Sequence, residues 1–327
     1  MGTGNGLRQQ GAAGLAAAAA LRETIRSIGT TVSPAAAAAS QRVLAPWHET
    51  EPYADVQVHR DVAYGPHPRQ RLDLFSPAAG PDPAGRPVVV FLHGGGFVAG
   101  DKRRAGTAYH DNVALWAVRH GMIGVTVNYR LAPESAWPSG AQDVAAVLAW
   151  SQENISAYGG APDRVHLMGT SAGATHVGSY LAHPELQLPG GAGVASAVLL
   201  SGAYDLPSFN HERLRPYLGA DAARYAEMSL VPGLVETEVP VLYVIAEFDP
   251  ADAQQQALTM VNAYFARHRR WPAFVRLRGD NHFTVTNRLN TAFDQLGTHL
   301  LAEIHGAAAR RGAAEESAAP RPMAQAD

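Results

Sequence analysis

Short apolar runs alternate along most of this chain with longer segments whose apolar residues recur at helical spacing. Val88–Leu92, Ile123–Asn128, Val165–Met168, Ala197–Ser201, Val241–Ala246 and Phe274–Leu277 read as strands, most of them apolar enough to be buried on both faces. Helical segments fit Gly106–His120, Ala141–Tyr158, Ala172–His183, Ala253–His268 and Thr286–Ile304. Ahead of all these, Val56–Val62 and Arg71–Phe75 read as an antiparallel pair, with Tyr64-Gly65-Pro66 turning between them. Such regular alternation predicts an α/β fold with a mostly parallel, doubly wound sheet and helices on both faces.

The ends depart from this pattern. Leu21, Ile25 and Ile28 share one face of an N-terminal helix that ends near Gly29. Pro34 to Ala39 reads as a low-complexity linker, so residues 1–50 form a helical segment poised to fold over the main domain at 51–305. An insertion at about 203–238 is short, enough for a small helical cap. Residues 306–327 are rich in Ala, Pro and charge without periodicity, which predicts a disordered tail.

Composition narrows the class without naming a reaction. A chain of 327 residues with 46% hydrophobic and 17% charged residues can bury a substantial core. A net charge of −3 gives no reason to expect nucleic acid or an anionic membrane as partner. With no Cys there are no disulfides, no thiolate zinc sites and no thiol catalysis, which suits a cytoplasmic protein. The Ala-rich stretch Gly11–Ala20 has a single Leu, too little for the apolar region of a secretory signal, and secretion is the lesser alternative.

The chemistry is concentrated where predicted strands end. Gly169-Thr170-Ser171-Ala172-Gly173 joins a strand to an Ala-rich helix, the G-x-S-x-G pattern of a nucleophile held on a sharp, strained turn. Upstream, the strand Val88–Leu92 runs into His93-Gly94-Gly95-Gly96-Phe97. Glycines there leave backbone N–H groups bare, and such donors stabilise an oxygen that becomes negative during acyl transfer. The amides of Gly95, Gly96 and Ala172 are the expected oxyanion donors. Gly94 serves the turn.

A nucleophilic serine needs a base, and the base needs an orienting carboxylate. His282 follows the strand Phe274–Leu277 in a loop at its carboxyl end, where open α/β sheets place their sites. His268, His299 and His305 read as solvated helix residues, and His211 lies in the polar insertion. The acid is expected one strand earlier, in Glu247-Phe248-Asp249-Pro250-Ala251-Asp252. Asp249 is preferred because Asp-Pro forms a turn at the strand end. Glu247 still sits in strand geometry, and Asp252 reads as the N-cap of the following helix.

Together these residues resemble the hormone-sensitive-lipase-like carboxylesterase branch of the α/β-hydrolases. Asn128-Tyr129-Arg130-Leu131-Ala132-Pro133-Glu134, with Trp137-Pro138 and Asp143, is a further hallmark and resembles the segment that packs beneath the oxyanion loop. Tyr64-Gly65-Pro66 and Ser201-Gly202-Ala203-Tyr204-Asp205-Leu206 are similar to the kynurenine formamidase and small acyl esterase group. The formamidase-type loop carries Trp where this chain has Phe97, which sets a general carboxylesterase ahead of an arylformamidase. The resemblance implies acyl transfer to Ser171 with His282 and Asp249, on a small-molecule ester, with no metal or organic cofactor. Phe97, Trp137, Tyr204 and Phe283 are expected pocket residues, and a homodimer is a compatible assembly. An inactive hydrolase fold used for binding is the reading from another class; the intact Ser, Asp and His speak against it.

Overall fold

The computed structural model describes residues 3–80, 82 and 84–318. Strands β1 (Val56–Ala63), β2 (Arg71–Pro77), β3 (Arg86–Leu92), β4 (Ile123–Val127), β5 (Gly160–Thr170), β6 (Ser196–Leu200), β7 (Val241–Phe248) and β8 (Ala273–Asn281) form one sheet. Its order is β1-β2-β4-β3-β5-β6-β7-β8. Strand β2 pairs antiparallel with both β1 and β4, and from β4 to β8 all pairings are parallel.

Strand β3 shows why the interior runs are continuously apolar. Val88, Val90 and Leu92 pack on one face, with α4 (Ser139–Asn154) and α5 (Ala172–Ala182). Val89 and Phe91 pack on the other, with α3 (Asp111–Arg119) and α11 (Leu296–Ala318). Each such fully buried side chain contributes about 1.5–3 kcal/mol relative to exposure. Both faces being covered, the carboxyl ends of the parallel strands are left to carry function.

Four expectations need correction. The linker expected at Pro34 to Ala39 lies within a helix, α2 (Pro34–Leu44), which follows α1 (Thr3–Ile28) after a turn at Gly29. Ser33 caps α2 by accepting from Ala36 N at 3.2 Å, and Pro34 suits the first helical turn. The helix buries Ala36, Ala37, Ser40 and Leu44, and its Leu44 clusters with Leu21 and Ile25 of α1. Small alanines thus supply a buried face that an apolar pattern does not advertise.

The helix expected at Thr286–Ile304 is two, α10 (Thr284–Asn287) and α11, separated by a turn where Asn290 has φ 63°. The tail expected to be disordered from residue 306 continues α11 to Ala318; residues 319–327 lie outside the described residues. Ala307 is buried, Arg310 pairs with Glu303 at 2.8 Å, and Arg311 pairs with Asp163. Finally, α3 starts at Asp111 rather than Gly106. The insertion after β6 holds the short helices α6 (His211–Leu218), α7 (Tyr225–Met228) and α8 (Val231–Glu236), and α9 (Ala251–His268) follows β7.

Candidate active site

Ser171 stands between β5 and α5 with φ 53° and ψ −121°, a left-handed conformation costing a non-glycine residue about 1–3 kcal/mol. The neighbouring strand holds it there: Ser171 N donates to Leu200 O at 2.8 Å, and Ser171 O accepts from Thr175 N at 3.1 Å. Gly173 is required by close approach, since a Cβ there would lie 2.3 Å from Leu92 O.

The loop after β3 is equally constrained. Gly95 has φ 146°, and a Cβ on it would lie 1.9 Å from Ala99 O. Gly96 and Phe97 follow at φ 60° and 71°. Beneath the loop, Tyr129 donates its hydroxyl to His93 O at 2.7 Å and stacks on the His93 ring at 4.4 Å. Ala132 N donates to Phe97 O at 2.9 Å, and Arg130 is fixed to buried Asp143 at 2.8 Å. The Asn128–Glu134 segment therefore underpins the glycine loop, as the family resemblance implies.

Asp249 sits fully buried in the turn after β7. One carboxylate oxygen meets His282 Nδ1 at 2.6 Å. The other accepts from Ser201 Oγ at 2.6 Å and from Ala246 N at 2.7 Å. Gln254 Nε2 donates to Asp249 O at 2.7 Å and steadies the turn. Both oxygens of the buried carboxylate thus have hydrogen-bond partners.

Ser171 and His282 line one cavity of about 40 Å³, with Gly96, Phe97 and Ala172. Gly95 is not among the lining residues. This space holds a few waters and is far below the several hundred Å³ of a typical ligand pocket. Val32 from the α1–α2 turn and Phe209 and Arg213 from the insertion supply further walls. The N-terminal segment also grips the loops that carry Asp249 and His282. Arg22 bonds Glu247 at 2.8 and 3.0 Å, and Ser40 exchanges hydrogen bonds with Asn281, next to His282.

The competing residues are engaged elsewhere. Glu247 is held by Arg22 and by Gly279 N at 2.7 Å. Asp252 lines the cavity, but its carboxylate pairs with Arg213 at 3.2 Å. It is also not an N-cap, since α9 already starts at Ala251. His299 and His305 are exposed on α11; His211 and His268 turn ring nitrogens to Pro207 O and Val235 O, each at 2.8 Å.

Of the expected pocket aromatics only Phe97 lines the cavity. Trp137 is half-buried edge-on to His183 at 5.5 Å. Tyr204 is a core residue whose hydroxyl donates to Leu199 O, with its ring against Tyr243. Phe283 stands edge-on to His282, outside the cavity wall. Sequence reasoning missed Ser201 as a partner of Asp249, and Val32, Phe209 and Arg213 as walls. Only Ser201 carried a signal, a polar residue ending an apolar strand.

Four buried histidines make the fold acid-sensitive. Burial pushes His93 and His176 down to about 3 and His110 and His166 to about 4. Unfolded, each titrates near 6.5. Stability is therefore fully present above pH 6.5 and falls as pH drops towards 4, because only the unfolded chain takes up the protons. Each group contributes a slope of about 1.4 kcal/mol per pH unit, and all four together about 5, against a total of about 5–15. The melting temperature should fall steeply between pH 6.5 and 4.5. A flat profile across that range would show that these rings are hydrated or already protonated.

The model of the carboxylesterase family matches residues 71–227. Esterase LipQ of Mycobacterium tuberculosis is 34% identical over 206 residues, covering 58% of this chain and 46% of LipQ. Carboxylesterase NlhH of the same species is 37% identical over 153 residues, 45% of this chain and 46% of NlhH. A probable isoprenylcysteine alpha-carbonyl methylesterase of Arabidopsis thaliana is 40% identical over 124 residues, 38% of this chain and 27% of that protein. The chain thus spans less than half the length of these relatives. Among solved structures, esterase B from Lactobacillus rhamnosis superposes with a TM-score of 0.70 at 19% identity, over 92% of this chain and 99% of that one. At that identity the likeness speaks for the fold.

Proposed function

We propose that this chain, whose residues 71–227 match the carboxylesterase family and which resembles the hormone-sensitive-lipase-like branch of the α/β-hydrolases, hydrolyses short-chain or aryl carboxylic esters through an acyl-enzyme on Ser171. One observation carries the reading: a strained serine shares a small cavity with a histidine whose other nitrogen is bonded to a buried carboxylate. His282 takes the Ser171 hydroxyl proton through Nε2 while Oγ attacks the ester carbonyl. The amides of Gly96 and Ala172, with Gly95 as the third donor, hold the oxyanion. His282 returns the proton to the departing alcohol, then activates the water that releases the acid. Asp249 keeps the Nδ1 proton in place throughout, so that Nε2 stays free to accept.

The substrate class rests on the walls. Val32, Phe209 and Arg213 crowd the space beside Ser171 and His282. The names of the relatives, esterase and carboxylesterase, favour ester over formamide substrates. The test is kcat/KM for p-nitrophenyl acetate, butyrate and octanoate beside N-formylkynurenine. The acetate or butyrate ester should lead, with a decline towards about eight acyl carbons and no rate jump at an oil–water interface. A steady rise through long-chain triglycerides would overturn the short-chain reading. Turnover of N-formylkynurenine above the esters would make the protein an arylformamidase working with the same residues.

A further inference from the structure

The cavity around Ser171 is apolar on most sides: Phe97, Ala203, Phe209 and Val32 contribute to its walls. Its polar stretch beyond the reacting groups includes a charge pair from two different elements. Arg213 of α6 reaches Asp252 in the first turn of α9, with Nη1–Oδ2 at 3.2 Å. The guanidinium also stands over the Phe209 ring, 5.9 Å from its centroid. The two side chains are 41% and 32% exposed, so the pair faces the cavity on one side and water on the other.

From this placement we infer that the Arg213–Asp252 ion pair sets the acyl-length limit of the Ser171 site, an inference that rests on the esterase reading above. Phe97 and Ala203 offer an acyl group of a few carbons an apolar wall. A longer chain reaches the pair and must strip water from a guanidinium and a carboxylate, offering nothing polar in exchange. The pair also ties the insertion to the main domain, so displacing it parts the two pieces that close the cavity. Phe97 and Phe209 alone would welcome a longer apolar chain. The charges refuse it, and discrimination by such an unfavourable contact is a common route to specificity.

The test compares kcat/KM for p-nitrophenyl octanoate and butyrate in wild type and in Arg213→Ala/Asp252→Ala. Removing both charges leaves an apolar opening, and the octanoate-to-butyrate ratio should rise about tenfold. Either single variant leaves one charge in the wall and should move the ratio less than half as far on a logarithmic scale. Swapping the charges, Arg213→Asp/Asp252→Arg, keeps a pair and should keep the wild-type ratio. It also supplies the answer where the double alanine variant does not fold: a swap that relaxes length selection shows that the pair is not the barrier. A ratio unchanged in an active double alanine variant overturns this inference and leaves the esterase reading standing. A wild type that hydrolyses neither ester takes both down.

Discussion

Ser171→Ala should lower ester turnover by about a million-fold, because nucleophile and base act as one unit and the loss of either removes nearly all of their joint effect. The fold should survive, since only an Oγ is lost and the backbone bonds to Leu200 O and Thr175 N remain. A fluorophosphonate probe should label Ser171 and no other serine, and peptide mapping reads that directly. Ser201 makes the experiment discriminating. It follows the adjacent strand with φ 50°, lines the same cavity and is buried. Its hydroxyl, however, is donated to Asp249 at 2.6 Å rather than to a histidine. Label on Ser201, or a Ser171→Ala variant with near wild-type rates, would sink the assignment.

That the sequence points to Ser171, Asp249 and His282 has a physical reason. In a parallel sheet the strands are apolar throughout, so a Ser, an Asp-Pro or a His placed just past such a run marks the carboxyl edge where sites form. The glycines are legible for the same reason: Gly95 and Gly173 stand where any Cβ would strike a carbonyl oxygen. The walls are not legible. Val32 and Arg213 reach the cavity from segments far from Ser171 in the chain, and no local pattern records that meeting. Trp137, Tyr204 and Phe283 mislead because an aromatic beside a motif carries no mark of the direction it faces. Helix α2 escapes because its buried face is built of alanines. The break before α11 escapes because Asn290 adopts its left-handed angle in a stretch whose apolar spacing continues across it.

Asp249→Asn should cost about ten-thousand-fold in kcat, and the hydrogen bonds show why an isosteric change does so much. The carboxylate accepts on one oxygen from His282 Nδ1 and on the other from Ser201 Oγ and Ala246 N. Asparagine has one accepting oxygen for these donors. The Ala246 N–H is fixed in the backbone and cannot turn away, so the amide oxygen goes to it and the NH2 group faces His282. Nδ1 must then accept, the ring proton moves to Nε2, and His282 can no longer take the proton of Ser171. The opposite rotamer keeps the tautomer but sets the NH2 group against the Ala246 N–H, burying two donors face to face. Asp252→Asn should retain the chemistry and alter length selection, since that carboxylate meets Arg213 rather than the histidine. Glu247→Gln should act mainly on stability, through Arg22 and Gly279. Steady-state kinetics on butyrate ester with melting curves separates the three variants. If Asp249→Asn keeps most of its kcat while Glu247→Gln or Asp252→Asn loses it, the acid has been misassigned and the His282–Asp249 bond is only structural.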